Sequence, residues 1–186
     1  MFAVFGNPIK HSLSPVIHAA FADQFSISLK YTGELIEPND FKDSVERFFA
    51  AGGCGINVTV PFKPEAFQIA ARASHRADRA GAANTLLSKK NEVECDNTDG
   101  AGLVCDLKEN LSWTIKSKRI LVIGAGGAVQ GILEMLLKEY PAYIHIANRT
   151  KSKAIDLACQ FSDLGSVEGA GIDDIAGERY DLVFNA

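Results

Sequence analysis

The sequence lacks the features that define membrane proteins and nucleic-acid-binding proteins. No apolar run in its 186 residues approaches the roughly 18 residues that are needed to cross a bilayer. The chain has 19 Lys and Arg against 23 Asp and Glu, which gives a net charge of −4. It has no basic stripe or arm, which argues against binding to a phosphate backbone. We therefore expect neither a membrane nor a nucleic acid among its partners.

Cysteine and histidine are few, and neither has the spacing of a metal site. The four cysteines, at positions 54, 95, 105 and 159, include no C-x-x-C pair, which is more typical of reduced thiols than of a disulfide framework or a zinc site. The four histidines include no H-x-x-x-H pair, so we predict no metal. The segment "MFAVFGNPIK" has no basic stretch ahead of its short apolar run, and so predicts a strand and not a signal peptide. We expect a cytoplasmic protein.

The sequence does contain alternating strand and helix patterns along its whole length. Hydrophobic residues make up 47% of the chain, enough for two small cores of roughly 90 residues each. The alternation predicts an α/β fold with two lobes. We predict a first α/β lobe over residues 1–97 and a connector helix over 98–112, marked by leucines 103, 107 and 111. A second, incomplete α/β lobe with four strands is predicted over 113–186.

Local signals predict several elements of the first lobe. Ser14 followed by Pro15 predicts a helix that begins there, with Ser14 as the N-cap and Pro15 at the first helical position. A second helix is predicted from about residue 39, because Phe41, Val45 and Phe48 recur at helical spacing. Two strands are predicted on either side of the polar turn at 89–92.

The stretch "NVTVPFK" at 57–63 has alternating apolar and polar residues. As a strand, it would place alternate side chains on opposite faces. The apolar row would be Val58, Val60 and Phe62. The polar row would be Asn57, Thr59, Pro61 and Lys63. This polar row is either a solvated face or a binding site.

The stretch "GAGGA", Gly124 to Ala128, follows an apolar strand and opens a helix. In that position, backbone N–H groups and the helix N-terminus can face a pyrophosphate. Val129 occupies the slot where the dinucleotide-binding pattern has its third glycine or alanine. Close packing and a methyltransferase cofactor loop are the alternatives to a dinucleotide-binding turn.

About 20 residues further on, the next predicted strand ends in cations and not in the acidic group typical of an NAD site. Asn148, Arg149 and Thr150 end the strand, and Lys151 and Lys153 follow. Cations at this position fit the 2′-phosphate of NADP. The alternative is a solvated helix start.

Short polar residues supply further candidates in and after the first lobe. Ser12 and Ser14 lie where two hydroxyls and free N–H groups can hold a carboxylate, although Ser14 is equally explained as a cap. Asn84 and Thr85 are equally explained by a turn. Asp99, in "DNTDG", is favoured at the start of the connector helix either as a cap or as a functional anion.

Six motifs occur in order along the chain, and they are "GNPIKHSLSPVIH", "GINVTVPFK", "GAANTL", "DNTDGAG", "GAGGA" and "NRT". At these spacings they closely resemble the shikimate dehydrogenase family, and the resemblance spans Ala3 to Ala186. Enzymes of that family reduce 3-dehydroshikimate to shikimate with NADPH, a step of aromatic amino-acid biosynthesis. They hold the ligand between two lobes and are commonly monomers or homodimers.

The resemblance implies that residues 1–97 are a substrate-binding domain and that residues 113–186 are an incomplete Rossmann-type NADP-binding domain. It also implies a role for each candidate residue. Ser12 and Ser14 would bind the substrate carboxylate. Lys63 would transfer the proton, with Asp99 as its partner. The substrate hydroxyls would contact Asn57, Thr59, Asn84 and Asp99. The pyrophosphate would contact Gly124, Ala125, Gly126, Gly127 and Ala128. The 2′-phosphate of NADP would contact Asn148, Arg149, Thr150 and Lys153.

Two features depart from the family pattern. Val129 and Gln130 occupy positions that often hold Ser or Arg in the family. The four strands predicted for the second lobe are about two fewer than in a six-stranded dinucleotide fold, so we expect a shortened chain whose last strand, at 181–185, offers an open edge for self-association. The alternatives to an NADP-dependent shikimate dehydrogenase are a catalytically silent binding module and a dehydrogenase that also accepts quinate.

Overall fold

The computed structural model describes residues 1–90 and 92–186. The chain folds into two compact units, Met1–Asn97 and Thr98–Ala186. In the described ranges no helix is long and apolar enough to span a membrane. Asn91, which belongs to the predicted polar turn, lies outside the described residues.

In the described residues 1–90 and 92–97, the first unit is a six-stranded mixed sheet with four helices. Its strands are β1 (Phe2–Gly6), β2 (Tyr31–Leu35), β3 (Gly55–Val58), β4 (Arg72–Ala73), β5 (Thr85–Lys89) and β6 (Glu92–Asp96). Its helices are α1 (Ser14–Gln24), α2 (Phe41–Ala50), α3 (Lys63–Ile69) and α4 (His75–Ala80). The strand order is β2-β1-β3-β5-β6-β4. β1 runs parallel to β2 and β3, whereas β5 is antiparallel to both β3 and β6.

Aromatic side chains from helices and strands form the core of the first unit. Phe41 and Val45 on α2 are buried, as the helical spacing predicts. The Phe41 ring stacks on that of Phe62 with centroids 4.7 Å apart, and Phe5 on β1 meets Phe41 edge-on at 6.5 Å. Aromatic pairs in these geometries add to the stabilisation that burial alone provides.

Two local predictions for the first unit are wrong. Ser14 is the first residue of α1, and Leu13 precedes it as the N-cap. The alternation predicted for 57–63 ends at Val58, because β3 stops there and the chain turns through the cis Val60–Pro61 peptide. Val60 is consequently 58% exposed, while Val58 and Phe62 are buried.

The second unit is a four-stranded, wholly parallel sheet with helices. Its strands are β7 (Arg119–Ile123), β8 (Tyr143–Asn148), β9 (Val167–Gly171) and β10 (Leu182–Asn185), in the order β10-β7-β8-β9. Its helices are α5 (Asp99–Cys105), α6 (Gly127–Lys138) and α7 (Lys151–Phe161), with a π-helical turn at Asp106–Asn110 and a 3₁₀ turn at Ile172–Ile175. The four predicted strands are all present.

The core of the second unit lies between the sheet and its helices. Ile120, Val122 and Ile144 from the strands are fully buried and pack in one cluster with Leu133 of α6 and Phe161 of α7. Apolar runs of this kind are typical of strands in parallel sheets.

The predicted leucine stripe starts in α5, inside the second unit. Leu107 is buried in its core, but Leu111 lies beyond the π-helical turn and is 46% exposed. Gly100 lets α5 approach α6 closely, because a Cβ at this position would lie 2.6 Å from the carbonyl oxygen of Gly131.

Candidate functional site

Three candidate substrate residues of the first unit, Asn57, Asn84 and Lys63, lie close together where β1 and β3 end, a place that we call the site edge. The carboxyl ends of the parallel strands β1 and β3 lie beside the amino end of β5, which runs the opposite way. Asn57 is on β3 and pairs with Thr85, while Asn84 immediately precedes β5. The backbone N–H of Val58 donates to the carbonyl oxygen of Asn84 at 2.8 Å. The topology therefore brings together two asparagines that are far apart in the sequence.

Lys63 reaches the same edge through a tight turn. The N–H of Thr59 donates to the carbonyl oxygen of Phe5 at 2.9 Å, and the N–H of Phe62 donates to that of Thr59 at 3.0 Å. Lys63 then begins α3, and its carbonyl oxygen accepts from the N–H of Ala83 at 2.8 Å. This backbone bond holds the start of α3 next to the segment that carries Asn84, so the lysine lies at the site edge although it is not part of β3.

Ser12 and Ser14 lie at the start of α1, after β1. The backbone N–H of Ser14 donates to the hydroxyl oxygen of Ser12 at 3.3 Å, so Ser12 satisfies one of the N–H groups that a helix start leaves unpaired. Both serines are half-buried.

Tyr31, the first residue of β2, is a contact of Asn57 that the sequence reasoning missed. Its hydroxyl donates to Asn57 Oδ1 at 2.7 Å, and its ring stacks on that of His18 with centroids 4.1 Å apart. Burial raises the pKa of Tyr31 to about 12, against a smaller opposing effect of a hydrogen bond with Ser14. Asn57 is 26 positions further along the chain, so no local pattern signals the contact.

A second group that the sequence reasoning missed fixes the end of β6. The carboxylate of Asp96 accepts from Arg76 Nε at 2.7 Å and from Arg76 Nη2 at 2.5 Å, and also from the Ser74 hydroxyl at 2.5 Å. These bonds, that of Arg76 foremost, lower the pKa of Asp96 to about 2. The N–H of Asn84 donates to the carbonyl oxygen of Asp96 at 3.1 Å, which ties this group to the site edge.

Asp99 begins α5 and belongs to the second unit. Two residues before it, the fully buried Asn97 ends the first unit, where its side-chain amide donates to the carbonyl oxygen of Ala82 at 2.9 Å. That bond anchors the chain on the first unit immediately before the "TDG" segment.

The glycine-rich turn of the second unit lies where the strand order reverses. β7 is flanked by β8 on one side and β10 on the other, and ligands of open α/β sheets bind at the carboxyl ends of strands at such a point. Gly124 has φ +118°, and a Cβ there would overlap the carbonyl oxygen of Ala186. Glycine is therefore required at this position, both by conformation and by space.

The remaining residues of the turn fit a pyrophosphate. Gly126 is exposed and precedes α6 as its N-cap residue. A Cβ added at this position would meet no other atom within 4 Å, so there is open space beside the backbone. Ala125, Gly127 and Ala128 are half-buried. A helix start leaves its first N–H groups without intrahelical partners, which suits an anion. Val129, in the third glycine slot, is fully buried and serves as a core residue.

The predicted cations lie at the end of β8 and the start of α7. Arg149, Thr150 and Lys153 are exposed, and Asn148 Nδ2 donates to the carbonyl oxygen of Thr150 at 2.9 Å. Lys151 instead pairs with Asp174, Nζ to Oδ2 at 2.8 Å. Because β7 and β8 are parallel, their carboxyl ends lie at the same edge. These donors fit a nucleotide that carries a 2′-phosphate.

A parallel sheet with a glycine-rich turn at its switch point places the second unit in the class of Rossmann-type α/β domains. Residues 4–86 match the family described as the shikimate dehydrogenase substrate binding domain, and residues 106–186 match the family described as shikimate / quinate 5-dehydrogenase. The chain belongs to the shikimate dehydrogenase family.

Individual relatives are similar over the whole chain. It is 51% identical to the shikimate dehydrogenase (NADP(+)) of Cellvibrio japonicus, and the match covers 100% of this chain and 67% of that relative. The crystal structure of shikimate dehydrogenase from Aquifex aeolicus matches with a TM-score of 0.87 at 34% identity, over 99% of this chain and 67% of that one. The Thermus thermophilus enzyme in complex with NADP(H) and shikimate matches with a TM-score of 0.85 at 29% identity, over 100% and 67% respectively.

Proposed function

We propose that this chain is an oxidoreductase that interconverts 3-dehydroshikimate and shikimate with NADP, the reaction for which its relatives are named. The observation that carries this proposal is that the backbone holds Asn57, Asn84 and Lys63 close together, and that Tyr31 bonds to Asn57 and neighbours Ser14. Several short polar side chains of this kind can hydrogen-bond the carboxylate and the hydroxyls of a small ring. A site built in this way rejects analogues that lack those hydroxyls, because its own polar groups are then left unpaired.

Each of these side chains has a proposed role in substrate binding. Ser12 and Ser14 bind the carboxylate, supported by their position at the start of α1. The substrate hydroxyls contact Asn57, Thr59, Asn84 and Asp99. All of these roles come from the family resemblance, and the half-buried placement of the first-unit residues supports them.

Lys63 is the proposed proton donor in the direction of reduction. Negative charge develops on the ketone oxygen as that carbon is reduced, and an ammonium within hydrogen-bond reach both stabilises the charge and supplies the proton. In the reverse direction the same amine accepts the proton of the alcohol. The fixed backbone at the start of α3 supports this role, because a proton donor must be held in position.

The cofactor residues proposed for the second unit are the Gly124 to Ala128 turn for the pyrophosphate and the Asn148, Arg149, Thr150 and Lys153 group for the 2′-phosphate. NADPH, when bound, supplies the hydride. The open N-terminus of α6 and the exposed cations at the start of α7 support these assignments.

A steady-state assay of the purified chain tests the proposed function. We expect NADPH to form from shikimate and NADP, with a much smaller rate with quinate or with NAD. Binding of shikimate without turnover would favour the silent binding module, and comparable rates with shikimate and quinate would favour the broader dehydrogenase.

We also propose a cytoplasmic protein without nucleic-acid or membrane partners, and a monomer or homodimer. All four cysteines are free thiols, which supports a reducing compartment. β10 lies at one edge of the four-stranded sheet, and an edge strand can pair with a second copy. Self-association through β10 is therefore the proposed route to a dimer.

A further inference from the structure

We propose that Tyr31 is a positioning residue that orients the Asn57 carboxamide toward the substrate and so sets which substrate oxygen is recognised. This inference rests on the proposed function, which assigns Asn57 to a substrate hydroxyl. The two residues lie on β2 and β3, and the Tyr31 hydroxyl reaches Asn57 Oδ1 across β1, at 2.7 Å.

The contact with Tyr31 determines which group of the Asn57 carboxamide can face a ligand. An asparagine side chain has an acceptor oxygen on one side and an NH₂ donor on the other. With Oδ1 committed to Tyr31, the donor Nδ2 is the group left to face a ligand. Asn57 then donates to a substrate oxygen, and an analogue without that oxygen leaves a polar group unpaired, at a cost in affinity.

The hydroxyl of Tyr31 also connects two parts of the proposed site. Its one proton is given to Asn57, so in the hydrogen bond with Ser14 that lowers the pKa of Tyr31 the serine is the donor. A serine hydroxyl has only one proton, so Ser14 must turn that proton from Tyr31 to the ligand when it binds the proposed carboxylate. Asn57 is therefore the residue that Tyr31 orients when substrate is bound.

The surroundings of Tyr31 hold this arrangement in place. The ring stacks on His18 with an angle of 17° between the planes, and the backbone pairs with Phe2 in the sheet. Since burial raises the pKa of Tyr31 to about 12, the hydroxyl stays protonated, and can donate, throughout the pH range in which the protein is assayed.

Tyr31→Phe tests the proposal because it keeps the ring and removes only the hydroxyl. We expect the shikimate Kd, measured by calorimetry, to rise about 2- to 12-fold, the effect of one neutral hydrogen bond, with the NADP Kd unchanged. The ratio of a monodeoxy analogue's Kd to the shikimate Kd should fall for one analogue only, the one that lacks the oxygen contacted by Asn57. Tyr140→Phe is the matched control, since Tyr140 is 74% exposed, and it should leave both Kd values unchanged.

A double-mutant cycle separates positioning from a general structural role. If Tyr31 acts through Asn57, Tyr31→Phe should weaken shikimate binding by less than twofold in an Asn57→Ala background. Additive losses, or an equal loss of affinity for every deoxy analogue, would overturn the proposal.

NMR spectroscopy of the ligand-free protein tests the contact between Tyr31 and Asn57 independently of the proposed function. Tyr31→Phe should shift the side-chain amide resonances of Asn57, and unchanged resonances would overturn the proposal. If the parent chain bound no shikimate, the proposed function would fail, and the Asn57 resonances would still decide whether Tyr31 orients that amide.

Discussion

The Asp96 carboxylate should make the stability of the first unit depend on pH, and Asp96→Asn measures this dependence. Hydrogen bonds from Arg76, and to a smaller extent from Ser74 and the Asn97 N–H, lower the pKa of Asp96 from 3.8 to about 2. At 1.36 kcal/mol per pH unit, that difference corresponds to at most about 2.4 kcal/mol. The side chains of Arg76 and Asp96 are 37% and 30% exposed, so solvent screening reduces the expected contribution to about 1–2 kcal/mol.

The sign of the effect follows from the lowered pKa. The folded protein holds the Asp96 proton more weakly than the unfolded chain does, so the stabilisation is complete above the unfolded pKa near 3.8 and is lost as the pH falls toward 2. Asp96→Asn should therefore lower the free energy of unfolding by about 1–2 kcal/mol at pH 7, and by much less at pH 2.5.

Urea unfolding followed by circular dichroism at several pH values is the assay. Glu46→Gln is the matched control, because the pair between Lys42 and Glu46 is 3.9 Å long with both side chains 65% exposed, and such pairs contribute little. An equal loss of stability in Asp96→Asn at pH 7 and pH 2.5 would refute the electrostatic reasoning. So would an NMR titration that gave the folded Asp96 an ordinary pKa.

Three further predictions concern the second unit. Gly124→Ala should weaken NADP binding at least tenfold and lower the melting temperature. The reasons are that a Cβ there meets the carbonyl oxygen of Ala186 and that φ is +118°. An unchanged NADP Kd would count against the turn as the pyrophosphate site. Arg149→Ala should weaken NADP binding about tenfold or more while leaving NAD binding within twofold, whereas Lys151→Ala, whose amine pairs with Asp174, should change neither. Sedimentation should detect dimers that form through β10, and a clean monomer at high concentration would contradict that proposal.

Local sequence signals predicted the elements of this fold better than their ends. The spacing of Phe41 and Val45 predicted α2 because burial on one helix face repeats with the helical period. The prediction that one strand carries a polar row as far as Lys63 was wrong, because an alternating pattern does not show where a strand ends and a turn begins. The strand ends at Val58. The start of α1 was predicted one position too late for a similar reason, since Ser14 fits both the N-cap and the first helical position.

The parts of the site that depend on distant contacts could not be predicted from patterns. Gly124 was found because a glycine-rich turn between a strand and a helix is a local motif. Tyr31 was missed because its partner Asn57 lies two strands away in a sheet whose order is not sequential. Asp96 was missed because its low pKa depends on Arg76, which is 20 positions away.

Turnover of Lys63→Ala measures whether Lys63 is the proton donor. We expect the parent chain to form NADPH from shikimate and the variant to lose at least about 100-fold in kcat, the usual contribution of a general acid or base, while its shikimate Kd stays within a few-fold. Lys42→Ala, an exposed lysine of the first unit, should keep the parent rate. Retained turnover in Lys63→Ala would refute the proposed role of Lys63 as the proton donor.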